Sequence, residues 1–269
     1  MDSSKVVIIT GGSSGIGKSL AFEYGNHGYT VVITGRNAEN LKSVENELIQ
    51  NNIQAKGIKC DSANEEETKQ MIQQVVSEFG GIDILINNAG ISMRSMFESV
   101  QMDVMKQVMD INFWGTVYST HAALPYIKER KGGIIGISSI AGYRGLPVRS
   151  GYSASKFAMN GFMEALRTEL IGTGVHVLIA CPGFTASNIR NASLNSEGKI
   201  TGETMREESK MMSSEEVAKE IYKAFESKKK TLVLTFQGKL TVFLNKLFSG
   251  FIDKMVYNTL KKEKDSPLK

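Results

Sequence analysis

Three side chains in the middle of the chain have the types and spacing needed to pass a proton to a carbonyl group. Tyr152 and Lys156 lie four residues apart in a predicted helix, so they share one face. A neighbouring ammonium lowers the pKa of a phenol, ordinarily about 10, towards the range useful for acid–base catalysis. Ser139 follows a predicted strand, where its hydroxyl can hold the carbonyl oxygen. A Tyr-x-x-x-Lys pair alone is more often structural, and the serine together with an upstream glycine loop favours catalysis.

That glycine-rich loop, T-G-G-S-S-G-I-G at residues 10–17, stands between a predicted strand and a predicted helix. Glycine lets the backbone approach a pyrophosphate closely, and a helix N-terminus offers unpaired N–H groups and a favourable dipole. The spacing Gly-x-x-x-Gly-x-Gly is wider than the common dinucleotide fingerprint, and an ordinary glycine-rich turn is the alternative. We predict that the phosphates contact Gly11, Ser13, Ser14, Gly15, Ile16 and Gly17.

The end of the second predicted strand indicates which nicotinamide cofactor would bind. A carboxylate there would hold an adenosine 2′-hydroxyl, whereas an arginine would pair with a 2′-phosphate. The chain has no acid at this point and carries Arg36 followed by Asn37, which favours NADP(H) as the cofactor. A solvated arginine at the start of a helix is the alternative. Asp61, with Ser62 beside it, follows the third predicted strand and is placed to reach the adenine edge.

Taken together, these motifs resemble the short-chain dehydrogenase/reductase family, in its compact single-domain form, from about residue 5 to residue 235. The matching pieces are residues 10–17, residues 87–90, Asn112, Ser139, Tyr152, Lys156 and the pair Pro182-Gly183. The apolar C-terminal stripe described below and residues 139–153 are more similar to the steroid- and lipid-ketone branch than to the average member.

The resemblance implies roles for further residues. It implies a proton path from bulk water through Asn112, Lys156 and a ribose hydroxyl to Tyr152. It also implies that Asn88, Ala89 and Gly90 line the adenosine ribose, and that the segment from Pro182 and Gly183 onward holds the nicotinamide. Many relatives have a threonine at a set position after that pair. Here we assign the carboxamide contact to Thr185, with Ser187 as the alternative.

Strand-like and helix-like segments alternate along the chain, which predicts an α/β fold of the Rossmann type with a doubly wound parallel sheet. Strands are predicted at residues 5–10, 30–34, 53–59, 82–86, 133–138, 175–181 and 231–235. Helices are predicted at residues 15–27, 37–50, 102–128 and 152–171, with Asn64 and Ser213 as N-caps of two more. Residues 1–237 are predicted to form one dinucleotide-binding and catalytic domain.

Residues 238–269 are predicted to add an amphipathic helix, over 238–260, and a basic tail. The helix carries one broad apolar stripe, which could pack on its own domain or across a dimer axis, cover an apolar substrate pocket, or lie in the plane of a membrane. The long polar stretch at residues 184–212 is predicted to be a binding loop or lid.

Composition restricts the function further. A chain of 269 residues with 41% hydrophobic residues can bury a large core, and its two cysteines form no disulfide framework. No basic stretch with an apolar core opens the sequence and no apolar run approaches the roughly 20 residues needed to span a bilayer, so we expect a cytoplasmic protein, with surface contact to a membrane as an option. The net charge of +4 is not accompanied by a nucleic-acid-binding motif, and no residue pattern indicates a metal site.

We therefore predict an NADP(H)-dependent oxidoreductase that transfers hydride between the nicotinamide and an apolar ketone, aldehyde or secondary alcohol, assembled as a homodimer or homotetramer. Ser139 and Tyr152 would contact the substrate, and Tyr152 would act as the general acid/base. One alternative is a 3-oxoacyl-thioester reductase, although such enzymes tend to carry a basic residue where this chain has Thr173. A non-catalytic sensor or scaffold that binds NADP(H) is the alternative of another class.

Overall fold

The protein is described by a computed structural model that covers residues 5–183, 193–200, 211–262, 266 and 268. Within these ranges the strands form one parallel sheet in the order β3-β2-β1-β4-β5-β6-β7. The strands are β1 (Val6–Thr10), β2 (Thr30–Gly35), β3 (Ala55–Lys59), β4 (Ile84–Asn87), β5 (Gly133–Ile137), β6 (His176–Cys181) and β7 (Thr231–Val233). The predicted doubly wound Rossmann-type sheet is confirmed.

Helices cover both faces of the sheet. They are α1 (Gly15–Asn26), α2 (Ala38–Gln50), α3 (Glu65–Phe79), α4 (Met102–Met109), α5 (Gly115–Arg130), α6 (Ser150–Glu169), α7 (Ser214–Glu226), α8 (Phe236–Leu247) and α9 (Ser249–Lys261). The predicted caps are confirmed: Asn64 accepts a hydrogen bond from the Glu67 amide, and Ser213 forms a capping box with Glu216.

Successive residues of β1 point into different layers of the core, as the two-residue period of a strand requires. Val7 and Ile9 pack with α1, α2 and α7, while Val6 and Ile8 pack with α3, α5 and α6. Every residue of β1 is buried, which explains the uninterrupted apolar run V-V-I-I at residues 6–9. The strand order reverses between β1 and β4, and ligands of such sheets bind at this switch point.

The helical stretch predicted at residues 102–128 contains a π-helical turn. The backbone remains helical from α4 into α5, but Asp110–Trp114 forms the wider turn between them. Turns of this kind are frequent at functional sites. This one carries Asn112, a predicted site residue whose side chain is fully buried.

The prediction of a single helix at residues 238–260 is wrong. The chain forms two helices, α8 and α9, because Phe248 leaves the helical region with φ −137° and ψ 57°. Ser249 and Gly250 follow it, and glycine is a poor helix former. After the break, α9 buries Ile252, Val256 and Leu260, and Leu146 packs against them. Among the described helices, none combines the length and apolarity needed to cross a bilayer.

The predicted binding loop at residues 184–212 lies mostly outside the described residues. Its described part, residues 193–200, contains Leu194, which forms an isolated parallel bridge with Met93 and an antiparallel bridge with Ile200. Leu194 is buried beside Met93 and Val104. At the end of the loop, Met212 packs partly buried against the main core.

The central strands should be the most sensitive part of the core. Replacing the fully buried Ile86 of β4 by alanine should lower the free energy of unfolding by about 2–5 kcal/mol, because the removed atoms leave a cavity. The matched control is Ile49→Ala on α2, where the side chain is 50% exposed and the change should stay within about 0.5 kcal/mol. Urea unfolding of both variants measures the difference, and equal losses would contradict this description of the core.

Candidate active site

A cleft of about 340 Å³ opens at the carboxyl ends of the strands, beside the switch point between β1 and β4. Most of the predicted site residues line it: Gly11, Ser13, Ser14, Gly15, Ile16, Gly17, Arg36, Asp61, Ser62, Asn88, Ala89, Gly90, Ser139, Tyr152, Lys156, Pro182 and Gly183. Two predicted residues, Asn37 and Asn112, are not part of the lining. Thr185 and its alternative Ser187 lie outside the described residues.

The glycine loop is held against the loop that follows β4. The Asn88 amide group donates hydrogen bonds to the Thr10 and Gly11 carbonyls at 2.9 and 3.0 Å. In return, the Thr10 hydroxyl accepts from the backbone N–H groups of Asn88 and Ala89, each at 3.0 Å. A Cβ at Gly17 would lie 2.3 Å from the Gly11 carbonyl oxygen, so only glycine fits this close approach.

The N-terminus of α1 faces the cleft with its first N–H groups available. Ser14 occupies the N-cap position without a side-chain cap, and the first turn contains no acidic residue. By contrast, Asn37 and Asn64 cap α2 and α3 through their side chains. An uncapped helix N-terminus in a glycine-lined cleft suits an anion, and these residues therefore fit the pyrophosphate of a dinucleotide.

Arg36 is an exposed residue directly after β2, and it lines the cleft. Its neighbour Asn37, predicted to bind the cofactor and to begin a helix, does begin α2 but does not line the cleft. Its side-chain oxygen accepts a hydrogen bond from the Asn40 amide at 2.9 Å. Asp61 lines the cleft after β3 and accepts a hydrogen bond from the Ala63 amide. This part of the lining therefore carries two charged side chains, the guanidinium of Arg36 and the carboxylate of Asp61.

Asn112 uses its whole side-chain amide to fix neighbouring backbone. Its oxygen accepts from the Ile91 N–H at 2.8 Å, and its nitrogen donates to the Ile91 carbonyl and to the Ser155 hydroxyl, both at 2.9 Å. Ser155 donates in turn to the Tyr152 carbonyl at 2.8 Å. Asn112 therefore joins the loop after β4 to the first turns of α6, and the proton path through it stays a prediction.

Lys156 is almost completely buried, and its ammonium donates a hydrogen bond to the Ile137 carbonyl at 2.9 Å. Burial lowers the pKa of this lysine from its ordinary value of 10.5 to about 8. The ammonium lies 5.9 Å from the centre of the Tyr152 ring. The two side chains therefore lie close together on α6, as their four-residue spacing predicts.

Ser139, at the N-cap of a short helical turn after β5, and Tyr152, in the first turn of α6, both line the cleft. The Ser139 oxygen accepts from the Ala141 N–H at 3.1 Å, which leaves its own proton for donation. The Tyr152 ring packs, partly buried, against the cluster of Met93 and Val104. Both side chains border the same cleft as Lys156, so the structure brings the predicted triplet together.

Several lining residues were missed by the sequence reasoning. They are Gly35, Cys60, Ile91, Ser92, Ile111, Ile137, Ser138, Leu146 and Arg149. Arg149 lies one helical turn before Tyr152, at the N-cap of α6, and this spacing could have identified it. Ile91, Ile111 and Leu146 give the cleft apolar walls, and nothing in their local sequence separates them from ordinary core residues.

A family model described as short chain dehydrogenase matches residues 5–198. The chain belongs to the short-chain dehydrogenase/reductase family. It is 33% identical to mouse dehydrogenase/reductase SDR family member 7B, over 97% of this chain and 83% of the mouse protein. It is also 38% identical to 11-beta-hydroxysteroid dehydrogenase 1A of Arabidopsis thaliana, over 76% of this chain and 59% of the plant protein.

Solved structures of the family share the fold. A short-chain dehydrogenase from Streptomyces avermitilis superposes with a TM-score of 0.81 at 26% identity, over 97% of this chain and 98% of that one. An actinorhodin polyketide ketoreductase variant with NADPH gives 0.73 at 27% identity, over 83% and 90% of the two chains. A family member from Burkholderia phymatum in complex with NAD gives 0.83, at 20% identity, over 93% and 95%.

Family membership makes the protein an oxidoreductase of the kind that acts on CH–OH groups with a nicotinamide cofactor. Its place nearest the steroid-reductase branch agrees with the resemblance noted from the motifs.

The buried ammonium makes stability depend on pH in a defined direction. Between pH 8 and 10.5 the folded protein has lost the Lys156 proton while the unfolded chain still holds it, so the free energy of unfolding should rise with pH. Relative to Lys156→Gln, the wild type should gain up to about 3 kcal/mol across this window. Urea unfolding at several pH values measures the gain. For the exposed control Lys69→Gln, the difference in free energy of unfolding from the wild type should not change with pH. If the difference for Lys156→Gln is equally independent of pH, the lowered pKa is contradicted.

Proposed function

We propose that the protein is an NADP(H)-dependent reductase of apolar ketones or aldehydes. The observation that carries the proposal is the convergence of Ser139, Tyr152 and the buried Lys156 on the cleft that also contains the uncapped N-terminus of α1. The cofactor, when bound, supplies or accepts the hydride at the substrate carbon. The chain itself has to hold the two reactants and manage one proton.

Each residue of the triplet has one task in this proposal. Tyr152 donates its phenolic proton to the carbonyl oxygen as the hydride arrives, and takes a proton back in the reverse direction. Ser139 donates a hydrogen bond to the same oxygen and keeps the carbonyl in line with the phenol. Lys156 favours the phenolate through its positive charge, which the low polarity around it makes more effective.

The preference for NADP(H) over NAD(H) rests on Arg36. It follows β2 at the place where NAD enzymes carry a carboxylate, and its guanidinium can pair with an adenosine 2′-phosphate through charge-assisted hydrogen bonds. Asp61 stands after the neighbouring strand and can accept from the adenine. The remaining cofactor contacts in the proposal come from the glycine loop, from Ser62, and from Asn88, Ala89 and Gly90.

The apolar character of the substrate follows from the cleft walls near Tyr152, which include Ile91, Ile111 and Leu146. The relative named as a hydroxysteroid dehydrogenase adds support. A 3-oxoacyl-thioester is the second candidate: Arg149 borders the cleft one turn before Tyr152, and the ketoreductase neighbour is named for polyketide substrates. A non-catalytic sensor is disfavoured because the full triplet is present.

We propose a homodimer or homotetramer in the cytoplasm. Trp114, the last residue of the π-helical turn before α5, and Phe157, on α6, are 43% and 46% exposed, which favours these side chains for contact between copies. Cys60 and Cys181 are free and buried, as suits a reducing compartment, and burial raises the pKa of the Cys181 thiol to about 12.

Removing the phenolic hydroxyl tests the mechanism. Tyr152→Phe keeps the ring and should bind NADPH normally, while turnover should fall about 10²–10⁴-fold because the proton donor is lost. The assay follows NADPH absorbance with a panel of steroid ketones, aliphatic aldehydes and an oxoacyl thioester. The control Tyr126→Phe removes a hydroxyl outside the cleft and should keep full activity. Near-normal turnover of Tyr152→Phe would overturn the mechanism and favour the sensor.

Removing the guanidinium tests the cofactor preference. Arg36→Ala should raise the KM for NADPH more than tenfold and leave the KM for NADH nearly unchanged, since a charged hydrogen-bonded contact contributes about 1.5–3 kcal/mol. The control is Lys59→Ala, an exposed cation at the end of β3 that does not line the cleft. A wild type that prefers NADH, or an unchanged ratio in the variant, would contradict the assignment.

A further inference from the structure

The two consecutive helices α8 and α9, together called the hairpin below, expose a row of large apolar side chains that nothing in the described part of the chain covers. We call this row the C-terminal apolar face. Its members are between 38% and 82% exposed: Phe236, Leu240, Phe243, Leu247, Phe248, Phe251 and Met255. They recur every three or four residues along α8, continue through the break at Phe248, and extend onto the first turns of α9.

This face is separate from the side by which the hairpin attaches to the domain. Ile252, Val256 and Leu260 are buried on α9. Asn245 of α8 donates to the Tyr143 carbonyl at 3.1 Å, and Asp253 of α9 pairs with Arg144. Packing against the domain therefore accounts for the apolar residues on one side of the hairpin, but not for those of the C-terminal apolar face.

Positively charged side chains lie beside the C-terminal apolar face. Residues 236–269 contain seven lysines and three acidic residues, a net charge of +4, which equals the net charge of the whole chain. Residues 1–235 are consequently balanced. Within the described part of the hairpin, the acid Asp253 is already paired with Arg144, while the lysines are exposed and make no ion pair there: Lys239, Lys246, Lys254, Lys261 and Lys262.

The lysines flank the apolar row. Lys239 and Lys246 precede Leu240 and Leu247 by one residue, and on a helix wheel both fall along the same edge of the row. Lys254 has the same relation to Met255 on α9. Long lysine stems can lie along buried apolar surface while their ammonium groups stay at the polar boundary. A row of large apolar side chains edged by lysines is the pattern of a helix that lies in the surface of a bilayer.

We propose that the C-terminal apolar face binds a lipid bilayer that carries anionic head groups. A second copy of this chain fits the face less well, because it would bring the same unpaired lysines against each other. An anionic bilayer satisfies both features at once: its interface takes up the apolar side chains and its head groups attract the lysines.

The contact would also position the cleft at the lipid surface. Leu146 packs in the buried cluster with α9 and at the same time lines the cleft. The cleft therefore lies beside the hairpin, and an apolar carbonyl compound dissolved in the bilayer would have a short way to reach it. This consequence rests on the proposed function, whereas the binding itself does not.

Vesicle sedimentation with the full chain tests the proposal. Vesicles of phosphatidylcholine alone are compared with vesicles of phosphatidylcholine and phosphatidylserine. The wild type should partition at least tenfold better into the anionic vesicles at low salt, and the difference should shrink as salt is added. Tyr152→Phe should bind like the wild type, so a failure of the catalytic proposal leaves this result intact.

Paired variants separate the two contributions. The double variant Phe243→Ser/Leu247→Ser should lose at least tenfold of its binding, whereas Ile171→Ser, which changes a side chain that is 78% exposed elsewhere, should not. The triple variant Lys239→Gln/Lys246→Gln/Lys254→Gln should lose the preference for anionic vesicles. Its control, Lys69→Gln/Lys128→Gln/Lys219→Gln, removes the same number of exposed lysines outside the hairpin and should keep it.

Three results would overturn the proposal. The first is a wild type that binds neither kind of vesicle, and the second is a double variant that binds as well as the wild type. The third is an oligomer, seen by light scattering on the same samples, that dissociates in the double variant while no form binds vesicles, which would assign the face to a second copy. Circular dichroism of each variant confirms that the hairpin remains folded.

Discussion

The candidate active site depends on keeping one ammonium group out of water. Burying a lysine costs several kcal/mol, and among the described residues the group has one hydrogen-bond partner, the neutral Ile137 carbonyl. The cost is visible in the lowered pKa of Lys156. Gly90 lies directly against this group. A Cβ there would be in ordinary contact with the ammonium nitrogen, at 3.6 Å, and tight against the Asn112 oxygen, at 3.2 Å. A polar ligand with a hydroxyl or negative charge beside this nitrogen would recover part of that cost.

The elements around the cleft are arranged to hold this group in place. The loops after β1 and β4 are tied by the hydrogen bonds between Thr10 and Asn88, and the loop after β4 is tied to α6 through Asn112 and Ser155. These connections cross between chain segments that are far apart in sequence. They give a rigid edge to a sheet whose strands otherwise end in separate loops, and rigid placement of reacting groups is what catalysis requires.

Much of this could be predicted from the sequence. Five of the described strands, β1, β2, β4, β5 and β6, are largely buried runs rich in apolar residues. The caps at Asn64 and Ser213 have characteristic side chains, and the triplet is specific in its spacing. Three features were not predicted. The π-helical turn around Asn112 carries no distinctive local residue pattern, since it continues the helical stretch without a proline or glycine break. The break at Phe248 and the cap at Asn37 do have local signals, in the Ser249-Gly250 pair and in the asparagine side chain, but each signal also fits other roles.

The cleft walls were harder to foresee than the catalytic triplet. A polar residue directly after a buried apolar strand is a recognisable signal in the sequence. Ile91 and Leu146 give no such signal, because an apolar residue in the sequence is equally consistent with a place in the core. Arg149 was passed over for another reason: its charge alone does not distinguish a residue that borders a cleft from one that faces solvent.

Leu146 lines the cleft and also packs against α9, so the cleft and the hairpin share this residue. Arg144, two residues earlier, is anchored to α9 through Asp253. A ligand that shifts the wall and a force that shifts the hairpin therefore act on the same short stretch of backbone. By thermodynamic reciprocity, any factor by which one event changes the affinity of the other applies equally in both directions.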